Sequence, residues 1–64
     1  MENLTKRQSE VVRLIAQGLP NKEIAYRLGV SESTIKLHVN AILKTFHVHN
    51  RTQALLFAQQ NHFI

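Results

Sequence analysis

At 64 residues the chain sits near the lower limit for unaided folding, since a domain this small buries only about 60% of the surface its unfolded chain exposes. Cysteine is absent, which excludes a disulfide framework, a thiolate metal site and a thiol nucleophile and suits a reducing compartment such as cytoplasm. Eight Lys and Arg against four acids, every one of them Glu, leave a net charge of +4, which points to a polyanionic partner. A merely basic soluble surface would carry the same charge. No apolar run approaches the roughly 18 residues that span a bilayer, and nothing reads as a signal peptide, so a membrane role is not expected.

In chain order, Thr5 with Gln8 three residues later reads as a capping box opening a first helix of roughly 6–17. Val11, Leu14 and Ile15 give it one apolar face. Gly18 ends it, and Pro20 biases Leu19 away from helix, so Leu19 and Pro20 form a connector. Asn21 is the expected N-cap of a second helix, about 22–28, with Ile24, Ala25 and Leu28 inward. Gly29 closes it and Val30 stands apolar in the turn. Ser31 then caps a third helix of about 32–46, whose inner face is Ile35, Val39, Ile42 and Phe46. Asn50 and Gln53 make a second box-like start, for a fourth helix of about 51–61. Ala54, Leu55 and Ala58 line one side of it, while Leu56 and Phe57 lie elsewhere on the wheel. The expected fold is all-α: a compact four-helix bundle, one domain over 1–64, its short helices held by tertiary packing.

The second and third helices, joined across Gly29-Val30-Ser31, have the pattern of a helix-turn-helix. Small Ala25 permits close approach, Gly29 supplies the turn's backbone and Val30 fills the corner. An ordinary helical hairpin would show the same turn, so the outer face of the third helix carries more weight. Ser33, Lys36, Leu37, Asn40 and Lys44 point away from the core and none is acidic. Glu32, the helix's one acid, occupies the first turn, where it suits the helix dipole.

These features resemble the DNA-binding domain of the LuxR/FixJ family of bacterial transcription regulators. The matching stretches are LTKRQSEVVRLIAQGLPNKEIAYRLGVSESTIKLHV and NRTQAL, spanning Leu4 to about Leu55. Within them LIAQGLPNK is similar to regulators of the nitrate/nitrite type. The resemblance implies sequence-specific binding of a double-stranded DNA operator, with the third helix in the major groove and Lys36, Leu37 and Asn40 at base edges. Lysine can donate to guanine, an amide can pair with adenine, and leucine can cover a thymine methyl. Phosphate contacts are expected from Lys22, Ser33, Thr34, His38 and Lys44, the hydroxyls and backbone N–H groups at a helix N-terminus being a natural anion site. His38 stands where the general motif often has a third apolar anchor, and could equally brace the packing. Arg51 is expected to tie the fourth helix to the body of the domain.

Two further expectations rest on the family alone. Its fourth helix commonly makes a two-fold dimer on DNA, which places a homodimer face on Thr52, Leu56, Gln59 and Gln60, opposite the core side. Its members usually follow a receiver or ligand-binding domain and work with RNA polymerase, so the chain reads as an excised output domain in preference to a naturally stand-alone regulator, cytoplasmic and associated with the nucleoid when bound. After Lys44 the family commonly continues Lys-Leu-Gly, whereas Thr45, Phe46 and His47 stand here. The change removes one lysine and puts a histidine where glycine would ease the helix end, so a different ending is expected. The rival reading is a protein-interaction module that keeps the fold without binding DNA. A metal site at His47 and His49, joined by His38 or His62, lacks Cys or Asp partners, and no nucleophile–base pair or Gly-rich phosphate loop is present. Neither a metal, a cofactor nor an enzymatic activity is expected.

Overall fold

The computed structural model describes residues 3–64, in the order α1 (Lys6–Ala16), α2 (Asn21–Leu28), α3 (Glu32–Phe46) and α4 (Arg51–Gln60), with no strand among the described residues. The expected domain range begins at residue 1; residues 1 and 2 lie outside the described ones.

Each helix starts and stops for local reasons. The capping box of α1 is formed: Thr5 Oγ1 accepts from the Gln8 amide at 3.1 Å, and Gln8 Oε1 accepts from the Thr5 amide at 3.0 Å. Ser31 Oγ caps α3 through the Thr34 amide at 3.1 Å, and Asn50 Oδ1 caps α4 through the Gln53 amide at 2.8 Å. The reciprocal reach of Gln53 goes one residue further back than in a standard box, to the His49 amide at 2.8 Å. The expectation for α2 is corrected. Asn21 is its first helical residue and Pro20 its N-cap, without a side-chain cap, because the Asn21 Oδ1 is taken by Arg51 Nη1 at 2.6 Å. Proline suits this boundary, since its fixed φ accommodates an extended entry and it has no N–H to satisfy. Helix ends also differ by one residue from the expected 6–17 and 51–61, with Gln17 and Asn61 in cap positions.

All four helices close alike. Gly18, Gly29, His47 and His62 have positive φ, and the amides that follow them reach back five residues: Leu19 to Leu14 O, Val30 to Ala25 O, Val48 to Leu43 O and Phe63 to Ala58 O. These are Schellman closures, which spend otherwise unpaired carbonyls and fold the next apolar side chain inward. Leu19, Val30, Val48 and Phe63 indeed pack on the core. The expectation that α3 would end differently for want of glycine is therefore overturned. His47 takes the left-handed conformation at φ 57°, which histidine tolerates better than most residues.

The core comprises Val11, Val12, Ile15, Ile24, Ala25, Ile35, Ile42, Phe46, Ala54 and Ala58. On α1 the buried set includes Val12, while Leu14 is only half-buried, so the inward direction is rotated from the expected face. Val39 and Leu55 are half-buried as well. Phe57, which the wheel set apart, stacks on Phe46 with ring centroids 4.4 Å apart, and Phe63 lies 5.1 Å from Phe46. Such aromatic contacts add about 0.5–1.5 kcal/mol beyond their area. They anchor α4 and the chain end against the C-terminal half of α3.

One polar tie joins distant segments. From the first turn of α4, Arg51 donates through Nη1 to Asn21 Oδ1 at 2.6 Å and through Nη2 to the Leu19 carbonyl oxygen. The expected role of Arg51 is thus visible, and its partners are Leu19 in the α1–α2 connector and Asn21 at the start of α2.

Candidate nucleic-acid interface

The α2–turn–α3 unit is held from within by Ile24, Ala25 and Ile35, all buried. Gly29 has φ 69°, the left-handed conformation the turn requires, and Val30 is half-buried against the core. With its inner face so fixed, α3 turns a defined set of side chains outward. Ser33, Lys36, Leu37, Asn40 and Lys44 are all exposed. Leu37 is 69% exposed, a large apolar side chain standing in solvent between two polar ones. Lys36 and Asn40 are one turn apart, about 6 Å along the helix axis, so both side chains leave the same face.

The N-terminus of α3 is partly committed. The Thr34 amide donates to Ser31 Oγ, and the Thr34 and Ser31 hydroxyls lie 2.9 Å apart. The Glu32 and Ser33 amides precede the first helical bond, from the Ile35 amide to Ser31 O, so neither has an intrahelical acceptor. Ser33 offers the open hydroxyl, whereas Thr34 is half-buried and shared with Ser31. His38 is half-buried beside the motif's inner face. Lys22 is exposed at the start of α2.

The electrostatics favour an anion. The Glu23 carboxylate is held 3.4 Å from Arg27 Nε, and Glu10 lies 4.0 Å from Arg7. On α3 the one carboxylate is Glu32 in the first turn, and the remaining charges, Lys36 and Lys44, are positive. Away from this face, Thr52, Leu56, Gln59 and Gln60 of α4 are exposed together, Leu56 by 51%. Among the described residues no group of three or more His, Cys, Asp or Glu is placed to hold a metal ion, and no helix is long and apolar enough to cross a membrane.

Residues 2–58 match the model of a family described as bacterial regulatory proteins, luxR family. The chain belongs to this family. Similar proteins include the two-component response regulator PprB of Pseudomonas aeruginosa, 51% identical over 53 residues, which are 83% of this chain and 19% of PprB. The nitrate/nitrite response regulator NarL of Escherichia coli is 45% identical over 60 residues, covering 94% of this chain and 28% of NarL. The chain thus spans less than a third of these regulators' lengths. In contrast, it matches 90% of the solved transcription factor GerE, at 28% identity and a TM-score of 0.89 over 94% of this chain. The fold is that of a GerE-like helix-turn-helix domain of transcription regulators.

Two features escaped the sequence reading. Asn21 serves as the acceptor for Arg51, a pairing across 30 residues that no local window shows. The other is Tyr26, 83% exposed on α2, whose position opposite Ile24, Ala25 and Leu28 marks it as outward but belongs to no motif.

Proposed function

We propose that this domain binds double-stranded DNA sequence-specifically to regulate transcription, with α3 lying in the major groove. The observation that carries the reading is the outer face of α3: Lys36, Leu37 and Asn40 are exposed side by side, with Lys44 beyond and no carboxylate among them. Membership in a family of regulatory proteins supports it. In this arrangement Lys36 donates to guanine O6 and N7, Asn40 pairs with a base edge, and Leu37 covers a thymine methyl. Lys22, Ser33, Thr34, His38 and Lys44 meet phosphates on either side and set the register. The Ser31–Thr34 bond leaves Ser33 as the better hydroxyl donor of the two.

Two copies would occupy two half-sites through Thr52, Leu56, Gln59 and Gln60 of α4. So small a surface gives a weak dimer that forms mainly on DNA. The 1–64 chain acts in this reading as one domain. Like the response regulators it resembles, it would serve as the output part of a longer protein in the cytoplasm, with RNA polymerase as that protein's further partner.

Operator selection from a random duplex pool, followed by titration of single-base variants, tests the proposal. Discrete positions at which a base change weakens binding by about 1–3 kcal/mol are the expected result. A domain that binds all variants alike reads no bases. The rival, a protein-interaction module on the same fold, has the exposed Leu37 in its favour, and it predicts no operator at all.

A further inference from the structure

Tyr26 is the most exposed large apolar residue of the described chain, at 83%, and no requirement of the fold explains it. With Pro20, Lys22 and Glu23 it lines a shallow recess on the outer side of α2. Lys22 and Tyr26 are four residues apart, so their side chains share one flank of that helix. The opposite flank faces α1, where Arg27 and Leu28 line a recess together with Arg13 and Leu14. Lys22 and Tyr26 therefore lie on the flank turned away from α1, and Tyr26 is one turn before the Gly29 corner. The nearby carboxylate does not spoil the flank for an anion, because Glu23 is drawn toward Arg27 at 3.4 Å.

We infer that Tyr26 and Lys22 form a ledge for the DNA sugar-phosphate backbone, the phenol donating to a phosphate oxygen and the ring lying against deoxyribose. The inference rests on the reading of α3 as the groove helix. In a helix-turn-helix the first helix crosses the backbone beside the groove that the second one enters, and tyrosine hydroxyls are among the side chains that contact phosphate. Lys22 supplies the charge. Tyr26 supplies a directional donor and an apolar face, so the pair fixes the tilt of α3 in the groove without reading sequence.

The chain contains one tyrosine and no tryptophan, so chemistry at tyrosine reports on this position alone. The test is nitration of the 64-residue protein by tetranitromethane, with and without saturating duplex DNA, binding being followed by fluorescence anisotropy. Duplex should slow nitration of Tyr26 strongly. Tyr26→Phe should weaken binding by about three- to tenfold, equally for different sequences, with its salt dependence unchanged. Lys22→Ala should instead lower the salt slope by about 1. Because Tyr26 lies outside the core, both variants should melt like the parent. Equal nitration rates in a protein saturated with DNA would overturn the ledge while leaving the groove assignment of α3 intact. So would parental affinity in both Tyr26→Phe and Tyr26→Ala. Failure of the parent to bind duplex at low salt would remove the groove reading and the ledge with it.

Discussion

Replacing Arg51 by alanine removes a clamp that joins two segments 30 residues apart. Its guanidinium donates to Asn21 Oδ1 at 2.6 Å and to the Leu19 carbonyl oxygen, at a half-buried site. A hydrogen bond from a charged group is worth about 1.5–3 kcal/mol. Water can reach this site and re-solvate the abandoned acceptors, so the low end of that range applies to each bond. The expected loss is about 2–3 kcal/mol in total. For a domain this size that lowers the melting temperature by roughly 10–20 °C. Thermal melts followed by circular dichroism measure it. Arg51→Lys keeps the charge but cannot span two acceptors with one planar fork, so it should recover less than half of the loss. Asn21→Ala, combined with Arg51→Ala, should show a coupling of about 0.5 kcal/mol or more in a double-mutant cycle. An Arg51→Ala protein that melts within about 2 °C of the parent would refute the argument, because a clamp worth its hydrogen bonds cannot vanish at so little cost.

The remaining predictions concern the turn, the reading face and the dimer face. A Cβ at Gly29 would meet nothing within 4 Å, so its φ of 69° sets the penalty. Gly29→Ala should cost about 1–2 kcal/mol and β-branched Gly29→Val clearly more; denaturant midpoints equal to the parent for both would show that the turn does not need glycine. Lys36→Ala and Asn40→Ala, both at exposed positions, should each weaken operator binding by about 1–3 kcal/mol and relax specificity at one base pair, with melts unchanged. An unaltered preference across single-base variants would remove them from the reading set. Leu56→Asp places a charge on the exposed face of α4 and should reduce cooperative two-site binding more than stability. Unchanged two-to-one complexes in sedimentation with DNA would move the dimer face elsewhere.

What the sequence shows and hides follows from the range of the interactions. Thr5 with Gln8, Ser31 with Thr34 and Asn50 with Gln53 lie three residues apart, so composition at that spacing locates three helix starts. The outward face of α3 is equally local, because Ile35, Ile42 and Phe46 fix the inward direction and leave Lys36, Leu37 and Asn40 opposite. Asn21 misled because its capping propensity is real but its side chain is claimed by Arg51 from the far end of the chain. Periodicity named Leu14 for the core of α1 and missed Val12, since a wheel gives a stripe but not the direction from which neighbouring helices cover it. His47 misled differently: the absence of glycine suggested another ending, yet the Schellman closure to Leu43 forms with histidine in the left-handed conformation. Phe57 looked stranded until Phe46 and Phe63, each from another segment, gave it a place to stack.

The central claim, that this basic helix-turn-helix engages DNA, is tested most directly by fluorescence-anisotropy titration of the domain against random-sequence duplex over a salt series. Near 50 mM salt the account predicts micromolar non-specific binding that falls steeply and linearly with log salt, as lysines on α2 and α3 displace counterions from phosphates. A folded domain that shows no binding at tens of micromolar, or whose affinity is indifferent to salt, would contradict it and leave the exposed face of α3 to a protein partner.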